Sequence, residues 1–228
     1  MMIKYAIFDL DDTLLDFKRG EREGLTKIMT KYGVSDLKQG FDTYTKINHQ
    51  VWEAIEQGQA RDALLNTRFS KAFNLLGIKV DGATVEAEYR SSLDTNFYKL
   101  QGVDELLSDL KAAGVHLLVG TNGVKETQLR RLKGSGLEHY FEDYFISEDI
   151  GFAKPDKRFF EPMFKKYGNL TTNALMVGDR LQADVLGAKR AQLNSIWYNP
   201  QALPVVQAYQ PTYVANSFKQ IKKIILNA

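Results

Sequence analysis

Apolar residues gather in five short runs: Tyr5–Phe8, Val115–Gly120, Tyr144–Ile146, Ala174–Val177 and Ser195–Tyr198. Each is closed off by polar residues or glycine, which predicts strands buried on both faces. Between them the spacing becomes helical. Val103–Ala113 places Leu106, Leu107 and Leu110 on one face and meets a stop at Gly114. Another helix is expected from about Pro155, with a boundary blurred by Pro162. Near the end, Lys219, Lys222 and Lys223 alternate with Ile221, Ile224, Ile225 and Leu226, the pattern of a packed amphipathic helix. Strands alternating with helices predict an α/β fold built on a doubly wound parallel sheet.

One stretch breaks the alternation. From about residue 16 to residue 100 no strand pattern occurs. Phe41, Tyr44, Asn48, Val51, Trp52 and Ile55 recur at helical intervals before Gly58, and Leu64, Leu65, Phe69, Phe73 and Leu76 form a second face before Gly77. The expected organisation is a core of residues 1–15 and 101–228 with an all-helical insertion at 16–100. The joints fall near Leu15–Lys18 and Asn96–Gln101.

Composition narrows the classes. The 228 residues carry 30 basic and 28 acidic side chains, a formal charge of +2, which is too balanced for a nucleic-acid binder. The group Arg130, Arg131 and Lys133 reads as a solvated helix face. There is no cysteine, so disulfides and thiolate metal sites are excluded. The apolar start, Met1 to Leu10, is short for a signal peptide and no run approaches the ~18 residues of a membrane span. A cytoplasmic protein is expected.

Ligands of open parallel sheets bind beyond the carboxyl ends of the strands. Asp9, Asp11, Asp12 and Thr13 follow the first predicted strand, and Thr121, Asn122 and Gly123 the second. The third leads to Lys154 and Pro155, and the fourth to Gly178, Asp179 and, five residues on, Asp184. Crowded carboxylates raise one another's pKa unless a cation compensates. All-oxygen ligation suits magnesium, and a carboxylate beside it can attack phosphorus. Lys154, Thr121 and the amides near Asn122 are placed to offset charge on a transferring phosphoryl group. Asp12 and Thr13 read as turn and helix-start residues, and Asp184 suits a metal site or a helix cap equally. His49, His116 and His139 lack metal-ligand spacing.

The run Phe8-Asp9-Leu10-Asp11-Asp12-Thr13-Leu14, with Thr121-Asn122, Lys154-Pro155 and Gly178-Asp179 followed by Asp184, resembles the four motifs of the haloacid dehalogenase-like superfamily. Those motifs span residues 8 to 184. The insertion between the first and second resembles the members with a helical cap. The resemblance implies a magnesium-dependent phosphatase in which Asp9 is nucleophile and metal ligand. Asp11 would be the acid and base, its carbonyl a further ligand. Thr121, Asn122 and Lys154 would bind phosphate or balance charge, and Asp179 and Asp184 would complete the metal site. Asp12 stands where many members have glycine.

The segment Val51–Gly58 with Arg68-Phe69, together with Phe145-Ile146-Ser147-Glu148 and Leu175–Asp179, is similar to a bacterial branch of pyrimidine nucleotidases. That similarity implies nucleoside 5'-monophosphates as substrates. Trp52 reads first as a core aromatic. With Tyr44 and Phe69 among Asn48, His49, Gln57 and Arg68, it also belongs to the candidates for a base-binding surface. Alternatives are a sugar-phosphate or phosphoglycolate-type phosphatase, a phosphomutase, or a receiver-like switch that accepts phosphate without turnover. The expected partner is a small phosphate ester, with no nucleic-acid polymer and no membrane. A monomer or weak homodimer is expected.

Overall fold

The computed structural model describes residues 3–227. Six strands form one sheet: β1 (Tyr5–Phe8), β2 (His116–Thr121), β3 (Asp143–Ile146), β4 (Ala174–Gly178), β5 (Asn194–Tyr198) and β6 (Tyr213–Ala215). Their order is β3-β2-β1-β4-β5-β6 and every pairing is parallel. The doubly wound α/β fold expected from the sequence is thus the observed one. Five strands lie within one residue of their predicted bounds. β6 has no counterpart among the predicted strands: it is a three-residue edge strand with Val214 exposed.

Alternation along each strand assigns side chains to two cores. Ala6, Phe8, Leu117, Val119, Leu175 and Val177 pack on one face of the sheet, with Leu106, Leu107 and Leu110. Ile7, Leu118 and Met176 point to the other, against Phe159, Phe160 and Met163. Strands covered on both faces leave little room for charged side chains along their buried stretch. The chemistry is therefore pushed to the strand ends.

The chain separates into two compact units, residues up to Asp16 with those from Phe97 onward, and Phe17–Asn96. The second is entirely helical: α1 (Phe17–Lys31), α2 (Leu37–Glu56), α3 (Arg61–Leu75) and α4 (Gly82–Leu93). Asp36 and Asp81 cap α2 and α4 by accepting the N–H groups of Gln39 and Thr84. Leu25, Ile28, Tyr44, Phe69, Phe73, Val85 and Tyr89 fill its core. The core also buries an ion pair. Arg68 donates to Glu86 at 2.7 and 2.9 Å and to Asn48 at 2.7 Å, with the rings of Tyr44, Phe69 and Tyr89 within 5.7 Å.

This changes the reading of the base-binding candidates. Tyr44 and Phe69 are buried core residues, and Arg68 and Asn48 are held by Glu86 and by each other. The apolar stripes of three helices converge there, and a guanidinium can be buried only with a carboxylate to receive it. Trp52 is partly exposed, with the Arg61 guanidinium 5.7 Å from its ring; His49 and Gln57 are exposed.

In the first unit the helices are α5 (Val103–Ala112), α6 (Lys125–Ser135), α7 (Ser147–Ile150), α8 (Glu161–Tyr167), α9 (Leu186–Arg190) and α10 (Phe218–Asn227). Gly114 follows α5 in the left-handed conformation, as its stop position requires. The helix expected from Pro155 is instead a short 3-10 turn, Lys157–Phe159, followed by α8 with Pro162 in its first turn. Proline lacks the N–H that a helix interior needs, so α8 begins around it. No described helix is long and apolar enough to cross a membrane.

Candidate active site

The chain runs from β1 outward through β2 to β3, then returns to lay β4, β5 and β6 on the other side of β1. Loops leaving β1 and β4 therefore diverge and open a crevice at their carboxyl ends. Asp9 is the first residue beyond β1, and its N–H donates to the Val177 carbonyl of β4 at 2.9 Å. The loop after it is a tight turn. The N–H groups of Leu14 and Leu15 both donate to the Leu10 carbonyl at 2.9 Å, and Asp12 takes a positive φ of 54°. Asp12 is thus a turn residue as expected. Thr13 is not a helix start, because α1 begins only at Phe17. It is fully buried and its hydroxyl accepts the Asp179 N–H at 3.1 Å, which ties the β1 loop to the β4 loop.

Lys154 sits at the centre of the cluster. It is 1% exposed, and its Nζ donates to Asp9 Oδ1 at 2.9 Å, Asp184 Oδ1 at 2.6 Å and the Gly120 carbonyl at 2.6 Å. Its backbone is held as firmly. Asn122 Nδ2 donates to the Lys154 carbonyl and Asn122 Oδ1 accepts the Lys154 N–H, both at 2.8 Å. The Asn122 side chain is thereby spent on the lysine, so any contact of this residue with a ligand falls to its backbone. Asp184 Oδ2 accepts the Arg180 N–H at 3.0 Å. A Cβ on Gly178 would lie 2.1 Å from that same oxygen, so only glycine lets Asp184 approach β4.

Burial pushes the Asp9 carboxyl up to about 7; Lys154 opposes the shift, while Asp184 and Asp11 add to it. Burial pulls the Lys154 ammonium down, but Asp184 and Asp9 outweigh it and the net direction is up. Asp9, Asp179 and Asp184 offer carboxylate oxygens all within 4.8 Å of one another. One ammonium cannot balance three carboxylates. The excess of hard oxygen donors fits a hard divalent cation such as magnesium.

Thr121 closes β2 and is buried. Its Oγ1 accepts from the Gly123 N–H at 3.1 Å and from Gln128 Nε2 at 2.9 Å. Asp11 faces α6, where both its oxygens accept hydrogen bonds, one from Arg131 and one from Gln128. All seven residues singled out in the sequence, Asp9, Asp11, Thr121, Asn122, Lys154, Asp179 and Asp184, therefore lie at the carboxyl end of the sheet. Gln128 and Arg131 are not among the residues that the strand-end pattern points to.

The family model for haloacid dehalogenase-like hydrolases matches residues 6–198. The chain belongs to this family. It is therefore an enzyme, a hydrolase, and similarity to other members runs through nearly its whole length. It is 36% identical over 223 residues to the pyrimidine 5'-nucleotidase PynA of Streptococcus pneumoniae, covering 97% of this chain and 94% of that one. It is 28% identical over 223 residues to the pyrimidine 5'-nucleotidase YjjG of Escherichia coli, covering 97% of each. The crystal structure of the HAD-hydrolase YfnB of Bacillus subtilis, bound to magnesium, superposes with a TM-score of 0.91 at 35% identity, over all of both chains.

Arg131 does not belong to a solvated face: it is 0% exposed, while Arg130 and Lys133 beside it are exposed. At three residues from Gln128, it shares the inward side of α6, and the Asp11 carboxylate there compensates its charge.

Proposed function

We propose that this hydrolase cleaves phosphate monoesters through an aspartyl-phosphate on Asp9, with magnesium held by Asp9, Asp179, Asp184 and the Asp11 carbonyl. The observation that carries the reading is Lys154 Nζ bridging Asp9 and Asp184 beside Asp179. Lys154 occupies Asp9 Oδ1, which leaves Oδ2 to attack phosphorus. As that bond forms, the bond from phosphorus to the ester oxygen breaks and Asp11, which enters the cycle protonated, supplies its proton. Asp11 then takes a proton from water, whose oxygen displaces Asp9 from phosphorus and releases phosphate. Both lone pairs of Thr121 Oγ1 are engaged, so its O–H is left to donate to a phosphoryl oxygen. The bound cation would neutralise developing phosphoryl charge.

Asp11→Asn removes the proton donor but keeps the backbone carbonyl. Turnover of a nucleotide, a poor leaving group, is expected to fall about 10²–10⁴-fold. Turnover of p-nitrophenyl phosphate, whose leaving group needs little protonation, is expected to fall less. Equal losses on the two substrates would remove Asp11 from the proton-transfer role.

Chelation with EDTA is expected to stop phosphate release and magnesium to restore it. Calcium, which accepts bidentate carboxylates and more ligands, is expected to inhibit by engaging both oxygens of Asp9. Full activity after exhaustive chelation contradicts a metal-dependent site.

For the substrate, we infer pyrimidine nucleoside 5'-monophosphates. Support comes from the near full-length similarity to two pyrimidine 5'-nucleotidases. Tyr44, Phe69, Arg68 and Asn48 contribute none, since the helical core occupies them. The deciding experiment compares kcat/KM for uridine, thymidine and adenosine monophosphates and a hexose phosphate. The pyrimidine nucleotides are expected to lead; a hexose phosphate ahead by more than about tenfold, or 1.4 kcal/mol, overturns the nucleotidase reading and leaves the Asp9 chemistry intact.

A further inference from the structure

Beneath Asp11 lies a buried polar network that the proposed reaction does not use. Its members are Gln128 and Arg131 on α6, which are 1% and 0% exposed. Arg131 Nη1 donates to Asp11 Oδ1 and, at 3.0 Å, to Gln128 Oε1. Gln128 Nε2 donates to Asp11 Oδ2 at 2.9 Å and to Thr121 Oγ1 at 2.9 Å. The backbone makes room for this: a Cβ on Gly123 would fall 2.3 Å from Gln128 Nε2. Gln128 thus touches Asp11, read as acid and base, and Thr121, whose hydroxyl is read as donating a hydrogen bond to the phosphoryl group, and Arg131 braces both Gln128 and Asp11.

Two donors fix the plane of the Asp11 carboxylate yet fill only two of its roughly four acceptor positions. The Asp11 side chain remains 29% exposed while that of Arg131 is 1% exposed. One edge of the carboxylate is therefore held by α6 and the other is open for reaction. A carboxylate on a freely turning side chain meets the leaving oxygen only part of the time, whereas proton transfer requires hydrogen-bond reach at the moment of bond cleavage.

We propose that Arg131 and Gln128 are positioning residues that lock the Asp11 carboxylate in register with Thr121, and that this lock supplies the capacity to expel poor leaving groups. The inference rests on the reading of Asp11 as acid and base. Neither residue touches substrate: Arg131 acts through Asp11, and Gln128 through Asp11 and Thr121.

The test measures uridine monophosphate against p-nitrophenyl phosphate in the magnesium-loaded, full-length enzyme, for Arg131→Met, Arg131→Lys, Gln128→Leu, Asp11→Asn and the Asp11→Asn/Arg131→Met double variant. Thermal melts confirm that each is folded. Arg131→Met is expected to lower kcat on uridine monophosphate by roughly 10- to 100-fold, a part of the ~10²–10⁴ that proton transfer contributes. KM should stay within about threefold and p-nitrophenyl phosphate turnover within about threefold. Gln128→Leu should lose more on uridine monophosphate than on p-nitrophenyl phosphate, with any part common to both substrates coming from its Thr121 contact, and Arg131→Lys should keep part of the activity that Arg131→Met loses. In the Asp11→Asn background, Arg131→Met should add less than about threefold, because residues acting as a unit are not additive. Equal losses on both substrates, a change confined to KM, or full additivity in the double variant overturns the inference. If Arg131→Met does not fold, Gln128→Leu decides by the same criteria. If Asp11→Asn shows no selectivity for the poor leaving group, the acid–base reading fails and the inference with it. If Asp11→Asn is selective while Arg131→Met and Gln128→Leu are not, the inference alone fails.

Discussion

Replacing Asp9 with asparagine is expected to lower turnover of every phosphate ester by at least ~10⁴-fold, the scale on which covalent enzymes respond to loss of their nucleophile. The substitution is nearly isosteric, so the fold should survive it. The Asp9 N–H still donates to Val177, and the side chain is removed only as an anion. An amide oxygen beside Lys154 accepts its hydrogen bond but is a poor nucleophile toward phosphorus. Quenched-flow trapping with labelled substrate should find phosphoenzyme in the wild type and none in Asp9→Asn. A variant that keeps turnover within tenfold of wild type would place the nucleophile elsewhere.

Lys154→Met is expected to be the most damaging substitution for stability in the unit that carries the sheet. The ammonium is buried and faces Asp9 and Asp184, both nearly inaccessible to water. Removing one partner of a buried ionic cluster leaves uncompensated charge and costs about 3–5 kcal/mol. Near the midpoint, each kcal/mol corresponds to roughly 2–4 °C in a domain of 150–250 residues, so a fall in Tm of about 6–20 °C is expected. Two carboxylates pressed together without their cation also favour protonation of one of them. Asp9 would then spend less time ionised, and activity should collapse together with stability. Scanning calorimetry of metal-free protein checks the first part. A Tm within about 2 °C of wild type would mean that Lys154 does not balance the carboxylates.

The sheet was legible because its strands are short apolar runs whose ends carry the polar residues. β1, β2, β4 and β5 contain no Asp, Glu, Lys or Arg, and β3 has one only at its first position, Asp143. β6, Tyr213-Val214-Ala215, is apolar too, but it is a three-residue edge strand with Val214 exposed, so its pattern does not mark it as buried on both faces. The carboxylates and Lys154 were legible for a related reason: each follows a strand directly, so a linear list of strand ends is a list of site residues. Gln128 and Arg131 lie on a helix instead, and their partner Asp11 is 117 and 120 residues away. Local pattern shows two basic neighbours and cannot show which of them turns inward. Helical spacing in the second unit revealed which residues share a face. It could not reveal what that face meets, so Tyr44 and Phe69 looked equally suited to a ligand and to a core. Arg68 carries the same lesson, because its partner Glu86 lies on another helix.

The clamp between Asn122 and Lys154 has a bearing on how the protein ages. Asn122 is followed by Gly123, the dipeptide most prone to spontaneous deamidation, in which the next residue's amide nitrogen attacks the side-chain carbonyl carbon to form a succinimide. That ring closure needs the side chain to swing toward its own backbone. Here Oδ1 and Nδ2 are both anchored on the Lys154 peptide, and the residue is 8% exposed. The folded enzyme thereby shields a bond that its unfolded chain leaves vulnerable. Chemical damage at this dipeptide should accumulate in step with unfolding, and the aspartate or isoaspartate it produces would lack the donor that Nδ2 offers the Lys154 carbonyl.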